Sequence, residues 1–330
     1  MPTMEAEASQ LILPGVAQDP PFRFNEIHLE LTTACNFRCG FCPLTDLHRP
    51  HGRLEFETAE RVLRECIDNK LTRHATFHLM GEALLHPRCM DVLRLCRQIG
   101  IETRLVTNGS NFKREKFVEL FNLVDRLDIS YRTVDDMEFQ SVNKKLTFQE
   151  YLDLILSAID LRASMPESDT QIRLRVFISE KTIPSLRDLC LRLKVNPDAV
   201  IGAKPGVPVL YDSFTPLPWL SFLCEDQLDW IGTTKKYPSK YASCDEFETG
   251  FAVLSDGQVT TCCWDAHGGN AMGNVNEKPL TEILFSEAAE SFRSQFKKHT
   301  CPTETCQACR GRPSFIKSKG YQALVILGQR

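Results

Sequence analysis

Segments typical of buried strands alternate with segments of helical periodicity through the first two thirds of the 330-residue chain. In order, strand first, these segments span 27–31, 54–70, 75–80, 87–99, 102–106, 113–121, 124–131, 148–161, 172–178, 184–193 and 199–203. Strands that alternate with helices in this way run parallel, because each helix carries the chain back to the edge where the next strand starts. The chain is therefore predicted to be an α/β protein, and the pattern alone does not choose between a barrel and a doubly wound sheet.

Three cysteines, Cys35, Cys39 and Cys42, follow one another at the spacing C-x3-C-x2-C directly after the first predicted strand. Thiolates this close can converge on one soft metal centre, and zinc and iron–sulfur clusters both use them. A structural zinc ion needs four protein ligands, and His48 or His51 could supply the fourth. A four-iron cluster held by three thiolates instead leaves one iron open, which makes the incomplete set of ligands a place for chemistry.

The run from Cys35 to Cys42, Cys-Asn-Phe-Arg-Cys-Gly-Phe-Cys, resembles the signature loop of the radical S-adenosylmethionine enzymes. The resemblance implies a 4Fe–4S cluster bound to Cys35, Cys39 and Cys42, with S-adenosylmethionine chelated by the open iron. It also implies an electron donor of the flavodoxin or ferredoxin type, and a 5′-deoxyadenosyl radical that takes a hydrogen atom from the substrate. The implied fold is a partial (β/α)6 TIM barrel with the site at the carboxyl ends of its strands.

Two further segments resemble parts of the cofactor site in that family. Met80-Gly81-Glu82-Ala83 partly matches its Gly-Gly-Glu-Pro motif. Gly81 is therefore expected to allow close approach of the backbone, and Glu82 to accept a hydrogen bond from the amino group of the cofactor. Glu82 is also placed to cap the helix that follows it. Asn108, in the turn Thr107-Asn108-Gly109, corresponds to the polar residue beside the cofactor, although Asn-Gly pairs form turns in proteins of any function.

Polar residues of the fourth and fifth predicted strands are further candidates for cofactor contacts. Ser130 is expected to face the same mouth of the barrel, and Arg132 could reach a carboxylate. Arg173 and Arg175 alternate with apolar residues, so both should point to one face of the fifth strand. If that face is the interior, the two cations need partners, and for Arg175 we expect a carboxylate of the cofactor or substrate. On the outer face both arginines would be structural.

Four cysteines in the last third of the chain, Cys244, Cys262, Cys306 and Cys309, are enough to close a second metal centre. Ser255-Asp256-Gly257 lies between two apolar runs and predicts a hairpin whose second strand leads to Cys262. Zinc ribbons also use C-x2-C pairs and four thiolates, so these residues alone leave zinc as a competitor.

The spacing from Cys244 through Gly257 to Cys262 resembles the SPASM and twitch extensions of radical S-adenosylmethionine enzymes. It is especially similar to that of the 2-deoxy-scyllo-inosamine dehydrogenases of aminocyclitol biosynthesis. The number of cysteines corresponds to the twitch type, which implies one auxiliary 4Fe–4S cluster. Cys263 and Cys301 are left over, and either could replace a ligand. Cys263 could instead be a catalytic hydrogen-atom donor of the kind used by radical epimerases, or a spare buried thiol.

Composition and charge exclude several classes of function. The formal net charge is -4 with both signs interspersed, which gives no footprint for nucleic acid or an anionic membrane. Residues 1–21 lack a secretory signal, and no window is long and apolar enough to span a membrane. With no export signal, the 14 cysteines indicate reduced thiols and a cytoplasmic location.

The predicted organisation has three parts. Residues 1–25 form an irregular lead, residues 26–235 form the barrel, and residues 236–330 form a small cysteine-rich domain of the SPASM or twitch type with the C-terminal tail. Residues 205–219 are rich in proline and are expected to form an irregular connection that leaves the barrel.

The resemblance implies an enzyme that abstracts hydrogen from an unactivated carbon. A fully ligated second cluster can exchange an electron but cannot easily bind substrate. A carbinol carbon would then become a ketone, or be inverted if a hydrogen atom returned to its opposite face, and both outcomes suit a sugar or an aminocyclitol. The alternative within the class is peptide modification, which the short lead before Cys35 disfavours because it is too short for a leader-binding domain. The alternative outside the class is a non-catalytic protein with structural zinc in both cysteine groups.

Overall fold

The structure, a computed structural model, describes residues 22–131, 136–202, 208–210, 217–225, 240 and 244–309. The strands, numbered along the chain, are β1 (Glu26–Leu29), β2 (His74–Phe77), β3 (Glu102–Thr107), β4 (Arg126–Ser130), β5 (Gln171–Phe177), β6 (Pro208–Leu210), β7 (Leu220–Glu225), β8 (Gly250–Val253), β9 (Gln258–Thr260) and β10 (Ala271–Asn274). The helices are α1 (Phe56–Asp68), α2 (Cys89–Ile99), α3 (Arg114–Leu123), α4 (Asp136–Val142), α5 (Phe148–Ala163), α6 (Ile183–Arg192), α7 (Pro197–Ile201), α8 (Glu246–Thr249), α9 (Leu280–Leu284), α10 (Glu287–Lys297) and α11 (Glu304–Cys309). Within these ranges, no helix combines the length and the apolar composition needed to cross a membrane.

The strands form a single sheet in the spatial order β10-β9-β8-β1-β2-β3-β4-β5-β7-β6. Strands β1, β2, β3, β4, β5 and β7 pair as parallel neighbours, with helices in the connections between them. This arrangement confirms the α/β fold with a partial barrel of six parallel strands, and it brings the carboxyl ends of those strands to one edge.

The two faces of the barrel strands differ in chemistry. In β5, Ile172, Leu174 and Val176 are buried in the main hydrophobic core, whereas Arg173 and Arg175 on the opposite face are half-buried. The arginine face is the interior, because Arg175 lines the cavity inside the barrel. The expectation that both arginines share one face is therefore confirmed, and that face is the lumen.

A carboxylate inside the barrel partners two of its arginines. The Asp128 carboxylate on β4 is fully buried and accepts hydrogen bonds from Arg104 on β3 (2.5 Å) and Arg173 on β5 (2.6 Å). Burial alone would raise the pKa of Asp128, but the neighbouring guanidinium groups lower it to about 2. Arg173 thus has a partner within the protein, and it does not need a ligand to balance its charge.

The sixth predicted strand, residues 199–203, is wrong for its described part. Pro197–Ile201 form α7, because Asn196 caps the helix by accepting a hydrogen bond from the backbone N–H of Asp198 (3.0 Å) and proline occupies the first helical position. The sixth parallel strand is β7. Strand β6 pairs antiparallel with β7, and β6 lies within the segment 205–219 that was expected to be irregular. Helix α4 is also absent from the sequence prediction.

The predicted C-terminal hairpin is confirmed and extends the barrel sheet. Strands β8 and β9 pair antiparallel on either side of Gly257, whose φ of +86° suits the tight turn. Strand β8 also pairs parallel with β1, with Glu26 opposite Gly250 and Leu29 opposite Val253. Cys262, which follows β9, is therefore carried on the same sheet as the loop of the first three cysteines, which follows β1. The predicted boundaries between the three parts of the chain stay predictions.

Candidate active site

A cavity of about 250 Å³ lies inside the barrel and reaches its mouth. Its lining includes the predicted site residues Cys35, Cys39, Cys42, Gly81, Glu82, Asn108, Ser130, Arg175 and Cys263. These residues come from the segments after β1, β2, β3 and β9 and from β4 and β5, so the fold gathers them from distant parts of the sequence. The remaining predicted cofactor contact, Arg132, lies outside the described residues.

The loop that carries the first three cysteines is fixed by its backbone and by one aromatic residue. The ring of Phe37 is buried and lies 5.7 Å from that of Phe139 and 5.8 Å from that of Tyr151, centroid to centroid. The backbone N–H of Arg38 donates to the last carbonyl of α4 (2.9 Å), and its guanidinium donates back to the carbonyl of Cys35 (2.8 Å). The loop is thus anchored by contacts away from its thiols, and the cysteines form no disulfide.

A structural zinc ion requires ligand atoms that lie close to one another. In a tetrahedral site with Zn–S bonds of about 2.3 Å, the sulfur atoms lie about 3.8 Å apart. Among the described residues, His28, His78 and Cys263 are the only three metal-ligating side chains whose ligand atoms all lie within 4.8 Å of one another. Neither the loop cysteines nor the four C-terminal cysteines form such a group among the described residues. His48, a possible fourth ligand, stacks on the ring of His267 at 4.2 Å.

Gly81 follows β2 where the backbone turns against the cysteine loop. Its φ is +77°, and an added Cβ would lie 1.9 Å from the carbonyl oxygen of Thr32. We expect Gly81→Ala to destabilise the fold by about 3 kcal/mol or more, because left-handed strain adds to a clash with backbone. Urea denaturation followed by circular dichroism measures the loss.

Gly100→Ala is the matched control for this substitution. Gly100 has a φ of +78°, but no atom lies within 4 Å of an added Cβ. Its replacement carries the strain without the clash and should cost about 1 kcal/mol. Equal losses in the two variants would show that close approach to the cysteine loop is not what Gly81 provides.

The Glu82 carboxylate joins the loops that follow β2 and β3. It is buried and accepts hydrogen bonds from the Thr107 hydroxyl (2.8 Å) and the backbone N–H of Asn108 (2.7 Å). The Glu82 carboxylate also accepts a hydrogen bond from the backbone N–H of Leu84 (3.2 Å). Glu82 therefore caps the short 3₁₀ turn that follows it, which was the structural role expected from the sequence. Burial raises the pKa of Glu82, and these donors oppose the rise. A contact with the cofactor stays a prediction, and the carboxylate does line the cavity.

Asn108 links the β3 turn to the cysteine loop. Its side-chain amide donates to the side chain of Asn36 (2.9 Å) and lies 3.9 Å from the sulfur of Cys35. Its backbone carbonyl accepts a hydrogen bond from the hydroxyl of Tyr151 (2.9 Å). The polar residue of this turn is therefore held beside the first cysteine, where a molecule bound at the cysteine loop would meet it.

The inner end of the cavity is polar, and no sequence motif predicts it. It is lined by Glu26 and His28 of β1, His78, Arg104 of β3 and Trp264. His28 and His78 share a hydrogen bond of 2.8 Å between ring nitrogens. The sequence assigned no role to His78 and did not single out the others. The alternation of Glu26 and His28 with the buried Ile27 and Leu29 is the signal that could have found the first two.

A second cavity, of about 30 Å³, lies in the C-terminal region. Cys244, Cys262, Cys306 and Cys309 all line it, together with Asn270, whose amide donates to the sulfur of Cys306 (3.5 Å). Burial raises the pKa of the Cys306 thiol, and the hydrogen bonds with Thr303 and Asn270 oppose this rise. The structure thus brings together the four cysteines expected to hold one auxiliary cluster, and their role as its ligands stays a prediction.

The neighbouring residues Cys262 and Cys263 open into different cavities. Cys262 lines the cavity of the four C-terminal cysteines, whereas Cys263 lines the barrel cavity. Cys301 is buried but lines neither of them. The polypeptide between Cys262 and Cys263 therefore connects the two sites directly.

Comparison with protein families identifies both regions of the chain. The model of the Radical SAM superfamily matches residues 29–164, and that of the SPASM iron–sulfur cluster-binding domain matches residues 244–310. The chain is therefore a radical S-adenosylmethionine enzyme with a C-terminal SPASM domain. Its cofactors are S-adenosylmethionine with a 4Fe–4S cluster, and a second iron–sulfur cluster in the SPASM domain.

One curated relative matches along nearly the whole chain. The tungsten-containing aldehyde ferredoxin oxidoreductase cofactor-modifying protein of Pyrococcus furiosus is 24% identical over 322 residues, which cover 88% of this chain and 89% of that protein. The chain spans less than half the length of the next curated relatives that it matches.

Solved structures show the same fold with different bound molecules. BtrN in complex with AdoMet and 2-DOIA is 16% identical with a TM-score of 0.53, covering 84% of this chain and 89% of that chain. Streptococcus suis SuiB bound to the precursor peptide SuiA is 16% identical with a TM-score of 0.57, covering 82% and 67%. At this identity the similarity is one of fold, and it does not choose between a small molecule and a peptide as substrate.

Proposed function

We propose that this enzyme dehydrogenates a carbinol carbon of a small hydroxylated substrate, a sugar or an aminocyclitol. The observation that carries the proposal is the direct connection between the two sites. Cys263 lines the barrel cavity, and Cys262 lines the cavity of the second cysteine group. A substrate in the barrel would lie between the two cysteine groups, so that a hydrogen atom can leave toward the first and an electron toward the second. The hydroxyl proton can pass to the carboxylate of Glu26, which lines the same cavity.

The residues around the two cavities fit the cofactors of this class. Cys35, Cys39 and Cys42 would hold the first cluster, and the contacts to S-adenosylmethionine would come from Gly81, Glu82, Asn108, Ser130 and Arg175. Arg132, which lies outside the described residues, stays a further predicted contact. Cys244, Cys262, Cys306 and Cys309 would hold the second cluster. When bound, these groups supply a carbon radical that takes a hydrogen atom from the substrate, and an acceptor for the electron that dehydrogenation releases.

The inner end of the barrel cavity supports a small polar substrate. The Arg104 guanidinium is fixed by Asp128 (2.5 Å), and Glu26 and the two histidines add acceptors and donors that suit hydroxyl groups. Trp264 adds an apolar face against which a ring can pack.

Epimerisation of the same kind of substrate is the second candidate function. It is favoured by one observation: the thiol of Cys263 is buried at the lining of the barrel cavity, separate from the second cysteine group. A thiol there could return a hydrogen atom to the face of the ring opposite the one that lost it. Cys263 would then be catalytic.

Turnover in deuterated water separates the two candidates. Anaerobically reconstituted enzyme is incubated with S-adenosylmethionine, dithionite and a panel of aminocyclitols and hexoses. Dehydrogenation should give 5′-deoxyadenosine in proportion to a ketone that is lighter than the substrate by a pair of hydrogen atoms. Epimerisation should give an isomer that carries a deuterium from solvent, because a thiol exchanges its hydrogen with water. Cofactor cleavage that no compound in the panel stimulates would contradict both and favour the peptide-modifying alternative.

A further inference from the structure

Three metal-ligating side chains meet at the inner end of the barrel cavity. They are His28 on β1, His78 after β2 and Cys263 after β9, and one ligand atom of each lies within 4.8 Å of the other two. His28 Nδ1 and His78 Nε2 are 2.8 Å apart. All three residues line the cavity, so the group faces the space that a substrate would occupy.

Strand register explains why these residues converge. In the parallel pair β1 and β2, His28 lies opposite Thr76, and His78 follows two residues later. On its other side β1 pairs with β8, where Ala252 lies opposite His28, and the chain then returns through β9 to Cys263. The group therefore depends on the extension of the barrel sheet by the C-terminal hairpin.

A carboxylate lies behind the histidine pair. Glu26 Oε1 is 3.7 Å from His28 Nε2, the ring nitrogen remote from His78, and Glu26 Oε2 accepts a hydrogen bond from the Thr76 hydroxyl (2.6 Å). Histidines that bind metals commonly turn their second nitrogen toward a carboxylate, which fixes the ring and strengthens the ligand. The negative charges of Glu26 and of a Cys263 thiolate would together balance a divalent cation.

We propose that His28, His78 and Cys263 bind a divalent metal ion of the zinc class. Imidazole and thiolate together suit Zn²⁺, and three protein ligands with an open fourth position are the arrangement of zinc sites that bind water or substrate. With Zn–N bonds of about 2.0 Å, the two nitrogens of a tetrahedral site lie about 3.3 Å apart, so the pair opens by about 0.5 Å on binding. The ion would replace the hydrogen bond that the two rings now share.

The open position of this site faces the cavity, and a hydroxyl or carbonyl oxygen of the substrate can complete the tetrahedron. This part of the inference rests on the proposed function. The ion would hold the carbinol oxygen at a fixed point and so position the neighbouring carbon for loss of its hydrogen. A zinc-bound Cys263 is a thiolate and has no hydrogen atom to give, so the site favours dehydrogenation over epimerisation.

Zinc binding to the reconstituted enzyme tests the site without any measurement of activity. The enzyme is dialysed anaerobically against Zn²⁺ and a competing weak chelator, and iron and zinc are counted by mass spectrometry. We expect about one zinc per chain with no loss of iron, and a zinc K-edge absorption spectrum with about one sulfur at about 2.3 Å and nitrogen or oxygen at about 2.0 Å. No bound zinc, or a shell of three or four sulfurs from a cysteine cluster site, would overturn the proposal.

Variants locate the ion and rank its neighbours. Cys263→Ala and His78→Gln should each weaken zinc binding by more than about 100-fold, and Glu26→Gln by about 10–100-fold, since Glu26 supports His28 without touching the ion. Iron should stay at the wild-type level in all three variants. Wild-type zinc affinity in Cys263→Ala would overturn the assignment.

His267→Gln is the matched control, because the ring of His267 also contacts that of a second histidine, His48, at 4.2 Å, and His267 belongs to no such three-residue group among the described residues. Its zinc affinity and iron content should equal those of the wild type. An enzyme that binds zinc in this way but turns over no sugar or aminocyclitol would keep the metal site and reject the proposed substrate class.

Discussion

Cys39→Ala is expected to abolish the reductive cleavage of S-adenosylmethionine and to lower the iron content by about half, since one of two four-iron clusters is lost. A cluster with one open iron uses three protein thiolates, and without Cys39 only Cys35 and Cys42 of the loop can hold it. The yield of 5′-deoxyadenosine with dithionite should fall by more than about 100-fold. This loss is larger than the one expected when a residue that only supports a metal ligand is replaced. Chromatography of the nucleoside and iron analysis of the same sample measure both effects.

Cys66→Ala is the control for this substitution. Cys66 is fully buried in α1, and burial raises the pKa of its thiol, so the side chain acts as a small apolar residue. Its replacement should leave iron and 5′-deoxyadenosine at the wild-type level. Unchanged cofactor cleavage in Cys39→Ala would show that the cysteine loop takes no part in the reaction. Zinc in place of iron in the wild-type enzyme would support the alternative of a non-catalytic protein with structural zinc.

Five of the six barrel strands could be predicted because each is a segment of strand length with apolar residues at alternate or neighbouring positions, separated from the next by a helix of clear periodicity. The sixth could not be predicted in the same way. Val200 and Ile201 suggest a strand, but Asn196 and Pro197 start a helix just before them, and this local signal prevails. The true sixth strand, β7, follows a proline-rich segment that reads as a connection.

The part of the candidate site whose residues lie on one loop could be predicted from the sequence. The part whose residues lie on several strands and share only the face of the sheet could not. The spacing of Cys35, Cys39 and Cys42 is a property of the local sequence, so it indicates a metal centre without any knowledge of the fold. Alternation places Arg173 and Arg175 on one face of a strand but cannot say that the face is the lumen, since that depends on how the sheet curves. Glu26 and His28 were missed for the same reason.

The connection between the two cysteine regions depends on a strand pair that no local pattern encodes. Glu26 lies opposite Gly250 because β8 adds to the free edge of β1, and this pairing brings Cys263 to the barrel cavity. The sequence predicted the hairpin from its turn residues, but not the strand beside which it lies. Long-range pairing of this kind follows from which sheet edge is exposed once the barrel strands have formed.

Replacing both Cys306 and Cys309 by alanine is expected to separate cofactor cleavage from product formation. The two residues lie one helical turn apart on α11 and line the same cavity, so the double variant removes two of its four thiols at once. Iron should fall by about half, because one of two four-iron clusters is lost. Cleavage of S-adenosylmethionine should continue, while ketone should fall by more than about 100-fold because the electron has no acceptor near the substrate. The ratio of 5′-deoxyadenosine to ketone measures the uncoupling.

Cys301→Ala distinguishes loss of these ligands from general damage to the C-terminal region. Cys301 is buried nearby and its backbone N–H donates to the carbonyl of Lys240 (2.8 Å), a bond that alanine keeps, but its side chain does not line the four-cysteine cavity. Iron and the product ratio should therefore match those of the wild type. Full iron in the double variant would show that Cys306 and Cys309 are not ligands. A loss of iron in Cys301→Ala equal to that of the double variant would show that Cys301 supplies a thiolate. Either result would mean that the ligand set drawn from the cavity is wrong.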